Sequence, residues 1–230
     1  MKPAAALDHL VVAAATLVEG VAWCEQALGV TPGPGGQHAL FGTHNRLLRL
    51  DGPEQDPPAY LEIIAIDPAT TPTRAAPLKR WFDLDDPALR QRLVTHGPQL
   101  IHWVARVPHL DAALRTWADL GLDRGPAMTA SRPTPAGLLQ WRLSVRDDGQ
   151  RLLDGCLPTL IEWGAQHPAR GMAPSGLRLQ HLALRHPQAD LLTRALAAIG
   201  MVGITVEAGL PRLSAALHTP AGPRALTTPD

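Results

Sequence analysis

Cysteine is scarce in this sequence and neither sign of charge predominates, which excludes several classes of protein. Only Cys24 and Cys156 occur in 230 residues, without the CxxC spacing of a zinc motif, so reduced thiols packed in the interior are expected. The 21 basic residues are balanced by 21 acidic residues, with no long run of like charge. Bulk charge therefore argues against a nucleic-acid-binding or membrane-surface protein.

Long apolar segments and common catalytic signatures are also missing. No apolar run approaches the roughly 20 residues that span a bilayer. The first residues lack the apolar core of a signal peptide, which predicts a cytoplasmic protein. The sequence contains no GxSxG, Walker, HExxH or GxGxxG motif, so none of the chemistries tied to those motifs is indicated.

An internal repeat is the most informative feature that is present. Three segments begin with a short apolar stretch that carries a histidine and continue into a helical pattern. The histidines are His9, His102 and His181. Each helical pattern ends at a glycine 19 or 20 residues further on, and these glycines are Gly29, Gly121 and Gly200. Self-similarity of this kind predicts repeated supersecondary units.

Local signals define the elements within each repeat. Thr16 and Glu19 have the spacing of a capping box at the start of the first helix, and Gly29 supplies its left-handed end. Short strands separated by turn residues follow each helix. The connection between the first two repeats is long and predicts a short helix entered at Asp86-Pro87.

These patterns predict an α+β fold of paired βαβββ modules with an extra βαββ half repeat. The first module is assigned to residues 1–66 and the inserted connection to residues 67–99. The second module is assigned to residues 100–170 and the half repeat, with its tail, to residues 171–230. The half repeat is expected either to form a dimer surface or to cover an open cup between the modules.

Strand alternation predicts which side chains face away from the helices. In each full module this face carries a histidine from the first strand and a glutamate from the last. The four residues are His9, Glu62, His102 and Glu162. Imidazoles and carboxylates that converge in a cup suit a divalent metal such as Zn, Ni, Co, Mn or Fe. The alternative is that the histidines bond local backbone groups and that Glu162 pairs with an arginine. For His181, which lacks a partner glutamate, a structural role is expected.

Several sequence segments resemble the vicinal-oxygen-chelate superfamily, and most closely its glyoxalase-like domain family. The segments are LDHLVV at residues 7–12, GTHNRLLRL at 42–50, YLEIIA at 60–65 and LIEWG at 160–164. Relatives in that superfamily include glyoxalase I, extradiol dioxygenases, methylmalonyl-CoA epimerase and bleomycin-resistance proteins. In glyoxalase I the metal ligands come from the first and fourth strands of both modules. The resemblance thus implies the same four ligands, while the insertion and the third repeat depart from the pattern.

Further residues are candidates for contact with a substrate. His44 and Asn45 precede a strand and are expected at the rim of the cup, where the alternative is a turn cap at Asn45. Arg46 suits an anionic group, with a solvated strand edge as the alternative. Trp141 is expected to line the cup, whereas Trp103 and Trp163 are expected in the core under the helices. The adjacent pair Trp81-Phe82 is interpreted as either a lid or an anchor for the insertion.

Two functions from different classes follow. The first is a metal-dependent lyase, isomerase or dioxygenase for a small molecule with adjacent oxygen atoms. In this hypothesis Glu162 acts as a fourth ligand or as a catalytic base. The second is a metal-free, ligand-sequestering protein of the bleomycin-resistance kind, with a pocket of ordinary ligand size. Both imply a small-molecule partner, without nucleic acid or membrane, and both are compatible with a homodimer.

Overall fold

A computed structural model describes residues 5–52, 57–134 and 137–228 of the chain. The first module comprises β1 Ala6–Ala13, α1 Leu17–Leu28, β2 Gln37–His38, β3 Thr43–Arg49 and β4 Tyr60–Ile66. The connection holds a short 3₁₀ helix, Trp81–Asp83, and α2 Pro87–His96. The second module comprises β5 Gln99–Arg106, α3 Leu110–Ala118, β6 Ala127–Thr134, β7 Gly137–Ser144 and β8 Thr159–Trp163. The third unit comprises β9 Arg178–Arg185, α4 Ala189–Ala198, β10 Ile204–Glu207, β11 Arg212–Thr219 and β12 Gly222–Thr227.

The two modules share one eight-stranded sheet with the order β2-β3-β4-β1-β5-β8-β7-β6. Strand β1 pairs in parallel with β4 of its own module and antiparallel with β5 of the other. The sheet curls, so that its two edges approach each other. The guanidinium of Arg132 on β6 lies 3.4 Å from the carbonyl oxygen of Gly35, near the opposite edge. Its concave face forms the cup predicted from the sequence.

Helix ends follow the predicted local signals. The Thr16 hydroxyl accepts from the Glu19 backbone N–H and the Glu19 carboxylate accepts from the Thr16 N–H, so the capping box is confirmed. Gly29 ends α1 with a φ of 71°, a left-handed conformation that glycine adopts without strain. The helix predicted at Asp86-Pro87 is also confirmed, with the Asp86 side chain accepting from two backbone N–H groups of the first turn.

Two apolar clusters lie on opposite faces of the large sheet. The cluster on the helix side includes Leu10, Leu61, Ile63, Trp103 and Trp117. The cluster on the cup side includes Val11, Ile64, Trp81, Phe82 and Trp141. The predicted alternation in β1 and β4 is therefore confirmed, since residues that alternate along each strand join different clusters.

The third unit packs against the helix side of the sheet and leaves the cup uncovered. It forms its own four-stranded sheet, in the order β10-β9-β11-β12, and shares the helix-side cluster through residues such as Leu184 and Leu196. The indole N–H of Trp117 donates to the carbonyl oxygen of Ala195 at 2.8 Å, which joins α3 to α4. The expectation that this unit covers the cup was wrong. The unit also has one strand more than predicted, because β12, which contains Pro223 and Arg224, lacks an alternating apolar pattern.

The inserted connection, rather than the third unit, enters the cup. Trp81 stacks between Phe41 and Phe82, with ring centroids 4.1 and 4.9 Å away. An ion pair of 2.8 Å between Arg151 and Asp83 holds the segment against the second module. The interpretation of Trp81-Phe82 as an anchor for the insertion is therefore confirmed, and the pair also forms a wall of the cup. None of the helices in the described residues is long and apolar enough to cross a bilayer.

Candidate functional site

A cavity remains in the cup beside the insertion. Its walls include His9, Glu62, Trp81, Arg132, Trp141 and Trp163. The volume open to the centre of a water molecule is about 40 Å³, which is room for a few waters. The enclosed part of the cavity is therefore small.

His9 lies between two carboxylates on the floor of this cavity. Its Nδ1 is 2.6 Å from Oδ1 of Asp8, and its Nε2 is 3.6 Å from Oε2 of Glu62. The imidazole also stacks on Tyr60, with ring centroids 4.5 Å apart. All four side chains are buried. With Nδ1 turned to Asp8, the other ring nitrogen faces Glu62 and the cavity.

Asp8 reaches this site through an irregularity in β1. The pairing register with β5 shifts by one residue between Leu7 and His9, which leaves Asp8 as the additional residue of a bulge. Its second oxygen accepts from the indole N–H of Trp163 at 2.8 Å and lies 3.0 Å from Nε2 of His167. Burial acts to raise the pKa of Asp8, but its hydrogen bonds with His167 and His9 outweigh burial and hold that pKa well below its usual range.

Glu62 has the opposite electrostatic balance. Burial raises the pKa of its carboxyl above the usual range, and the charge of His9 and a hydrogen bond from Asn45 offset only part of that effect. The bond from the Asn45 amide to Oε1 is 2.6 Å long. The carboxamide oxygen of Asn45 accepts from the backbone N–H of Gly36, which fixes the orientation of the side chain. Glu62 is thus a positioned carboxyl that protonates more readily than an exposed one.

His38 completes the polar edge of the cavity. Its Nδ1 is 3.1 Å from the Thr43 hydroxyl, and its ring meets the edge of Trp81. Burial, together with the positive charge of Arg132, lowers the pKa of His38 to about 3. The imidazole is therefore neutral near pH 7.

His102 shares the cup side of the sheet but does not reach the cavity. Its Nδ1 bonds the carbonyl oxygen of Gly155 at 3.1 Å, and its Nε2 accepts from the backbone N–H of Thr159 at 3.1 Å. The ring of Phe82 covers it, and a guanidinium nitrogen of Arg124 lies 3.2 Å from Nε2. Burial and the charge of Arg124 lower the pKa of His102 well below its usual value. This arrangement matches the alternative in which the histidine bonds local groups.

Glu162 faces the helix layer, so the predicted side of β8 was wrong. Its carboxylate accepts from the backbone N–H of Leu110 at the start of α3, 2.6 Å away, and lies 3.6 Å from a guanidinium nitrogen of Arg142. A helix N-terminus attracts a carboxylate because its first N–H groups lack partners. The neighbouring Trp163 consequently faces the cup, where its indole bonds Asp8, and its predicted place under the helices was also wrong.

The predicted metal ligands therefore do not assemble. His9 and Glu62 meet, His102 has both nitrogens bonded beside a cation, and Glu162 lies on the other face of the sheet. In the part of the chain that the structure describes, no three His, Cys, Asp or Glu side chains are grouped so that they could hold a metal ion. These residues do not fit the metal centre that the superfamily resemblance implies.

Of the predicted substrate contacts, Asn45 and Trp141 line the cavity. His44 and Arg46 alternate with Asn45 along β3, so they point to the helix side. The three residues predicted together at the rim of the cup therefore lie on two faces of the sheet. His44 lies at a separate groove beside Leu17 and Val94, and Arg46 is exposed. His181 is exposed on β9.

Sequence reasoning missed Asp8, Tyr60 and Arg132. Alternation could have indicated Tyr60, which is two residues before Glu62 on the same face of β4. The bulge at Asp8 and the reach of Arg132 across the cup are products of the tertiary structure, and no local pattern signals them.

Comparison with known proteins identifies the family of the chain. The profile of the family described as "Glyoxalase-like domain" matches residues 7–200. A hypothetical protein from Staphylococcus aureus has a similar structure, with a TM-score of 0.61 and 11% identity over 90% of this chain and 88% of that chain. A Streptomyces coelicolor methylmalonyl-CoA epimerase variant in complex with 2-nitronate-propionyl-CoA gives 0.42 and 17% over 71% and 98%. The epimerase from Mycobacterium tuberculosis gives 0.36 and 18% over 68% and 85%.

No curated protein matches the sequence significantly. The family profile nevertheless covers most of the chain, including β1, β4 and the strands of the second module that form the cup. The chain therefore belongs to the glyoxalase-like domain family.

Proposed function

We propose that this chain is a small-molecule enzyme of the isomerase or lyase type, in which Glu62 and His9 move a proton on a bound substrate. The observation that carries the proposal is the buried row Asp8–His9–Glu62, with separations of 2.6 and 3.6 Å at the two ring nitrogens. Two carboxyl groups with pKa values displaced in opposite directions commonly mark an acid–base site.

Each member of the row has a distinct part in the proposed step. Glu62, as carboxylate, takes a proton from the carbon beside a carbonyl group. The C–H electron pair becomes the C=C bond of an enolate, and the negative charge moves to the carbonyl oxygen. Protonated His9 donates from Nε2 to that oxygen, and Asp8 stabilises the imidazolium. Return of the proton by Glu62 to the same carbon, with His9 recovering its proton from the enol oxygen, gives hydrogen exchange and restores both groups. In a substrate whose C–H carbon carries a hydroxyl group, Glu62 instead delivers the proton to the former carbonyl carbon while His9 takes the proton of that hydroxyl group, and the carbonyl group has moved by one carbon.

No step is routed through a metal, because the donor set described above does not fit one. The metal-dependent lyase and dioxygenase predictions both require His102 or Glu162 in the cup. Elemental analysis of protein purified without chelators is expected to find divalent metal well below one equivalent per chain. One equivalent that disappears in His9→Ala would overturn the metal-free step.

Hydrogen–deuterium exchange tests the proposal directly. The probes are 2-oxobutyrate and 2,3-pentanedione, which have adjacent oxygens, an enolisable CH₂ group and the same number of heavy atoms. Proton NMR in D₂O would follow loss of the CH₂ signal with and without protein. Exchange of at least one probe should depend on the protein and should be slower by about 100-fold or more in Glu62→Gln. The matched control is Glu207→Gln, which alters an exposed glutamate on β10. Exchange should persist in this control.

A ligand-sequestering protein is the second candidate. The aromatic wall of Trp81, Trp141 and Trp163 favours it, since such surfaces bind flat apolar ligands without chemistry. Binding of both probes without any protein-dependent exchange would replace the enzyme proposal with this one.

A further inference from the structure

One positive charge at the cup, that of Arg132, has no ion-pair partner among the described residues, and it indicates what kind of molecule enters. Arg132 projects from β6 at one edge of the curled sheet and lines the cavity that holds His9 and Glu62. Its guanidinium lies against the backbone of Gly35 and Gly36, and its hydrogen bond to the Gly35 carbonyl oxygen is long at 3.4 Å.

Arg132 forms no ion pair within the described ranges 5–52, 57–134 and 137–228. Arginines of this protein that serve structure have closer partners, as in the 2.5 Å pair of Arg80 with Asp85 and the 2.8 Å pair of Arg151 with Asp83. A guanidinium at a cavity mouth with most of its donors unused is suited to bidentate recognition of a carboxylate.

A second guanidinium lies behind the floor of the cup. Arg124 is buried and donates to the hydroxyl of Thr159, a residue of the cavity wall. Its remaining bonds go to the carbonyl oxygens of Pro158 and Gln150 and to His102, and the carboxylates of Asp83 and Asp148 act on its charge without a direct bond to it. Burial lowers its pKa to about 10, and it therefore remains charged at neutral pH.

The negative groups near the cavity are already engaged. Asp8 is bonded to His9, His167 and Trp163, and Glu62 is bonded to Asn45 beside His9. Glu62 also carries less negative charge than an exposed glutamate, because burial favours its protonated form. Neither carboxyl group forms an ion pair with Arg132, so the guanidinium donors can receive the carboxylate of a bound molecule.

We infer that the substrate is a small organic carboxylate, held at the mouth of the cup by Arg132 with its reacting carbon toward Glu62. The inference rests on the proposed function and adds the substrate class to it. The narrow cavity, about 40 Å³ to the centre of a water molecule, favours a short chain over a large ring system.

The same probe pair tests charge selection by binding alone. The carboxylate 2-oxobutyrate and the neutral 2,3-pentanedione would be titrated in ligand-observed NMR against wild type, Arg132→Gln and Arg194→Gln. Arg194 is an exposed arginine of α4, away from the cup. Wild type should bind the carboxylate about tenfold more tightly or better, Arg132→Gln should lose that preference, and Arg194→Gln should keep it.

Equal affinity of wild type for the two probes, no binding of either, or an unchanged preference in Arg132→Gln would overturn the assignment. If Arg132→Gln does not fold, the wild-type comparison and Arg132→Lys, which keeps the charge and should keep the preference, decide the question. The binding experiment and the exchange experiment test different claims and can fail independently. Charge preference without exchange refutes only the proton-transfer function, whereas exchange without charge preference refutes only the carboxylate assignment.

Discussion

Replacing Asp8 by asparagine should cost more stability than any surface substitution in the chain. The carboxylate engages three groups, Nδ1 of His9 at 2.6 Å, the indole of Trp163 at 2.8 Å and Nε2 of His167 at 3.0 Å. Asparagine has one acceptor oxygen and presents an NH₂ group where the second oxygen stood, so at least one buried donor loses its partner. One or two lost charge-assisted bonds, at about 1.5–3 kcal/mol each, give a loss of roughly 1.5–6 kcal/mol.

Urea denaturation at neutral pH measures this loss, with Asp119→Asn as the matched control. Asp119 is exposed at the end of α3, and its substitution should change the free energy of unfolding by less than about 0.5 kcal/mol. The folded-state pKa of Asp8 is below its unfolded value of about 3.9, so its carboxylate stabilises fully above that pH and progressively less below it. The deficit of Asp8→Asn should therefore shrink near about pH 3. A deficit under about 1 kcal/mol at neutral pH, or an equal one at both pH values, would refute the reasoning.

Three further outcomes are expected. Since burial raises the folded-state pKa of Glu62, its ionisation destabilises the fold as pH rises above its unfolded value of about 4.3. The melting temperature of Glu62→Gln should therefore gain on wild type between about pH 4 and pH 8 in calorimetry, and a constant difference would contradict this. Phe82→Ala removes a ring stacked on Trp81 and should lower the free energy of unfolding by about 3 kcal/mol in urea; a loss below about 1 kcal/mol would mean that the insertion packs loosely. Thr16→Ala removes the capping box and should lower it by about 1 kcal/mol, whereas an unchanged midpoint would show that the cap is replaceable.

Much of the fold could be predicted because its signals are local. The capping box at Thr16, the glycine at Gly29 and the Asp86-Pro87 start all depend on backbone groups within a few residues. Strand β12 was missed because Pro223 and Arg224 interrupt any apolar alternation. The position of the third unit against the helix side depends on long-range packing, such as the bond from Trp117 to Ala195, which no local pattern encodes.

The candidate site was predictable only in its first module. His9 and Glu62 follow from regular alternation in β1 and β4, and the structure brings them together. In β8 both faces are apolar, so alternation alone could not determine whether Glu162 or Trp163 faces the cup. The start of α3 attracts the carboxylate of Glu162, and this interaction determines that Glu162 faces the helix side and Trp163 the cup. Phe82 covers His102 and separates it from the cavity. Phe82 belongs to the inserted connection, and no local sequence pattern predicts that this connection enters the cup.

Because the insertion enters the cup, the polar residues of the site and the aromatic residues that shape the space around them lie in different segments of the chain. His9 and Glu62 are on β1 and β4, which are central strands of the sheet, whereas Trp81 and Phe82 belong to a connection outside both modules. Positions 81 and 82 can therefore be varied among bulky apolar residues in a library to reshape the space around a bound molecule while β1 and β4 keep their sequence. A laboratory search for new ligands of this scaffold would begin at these two positions.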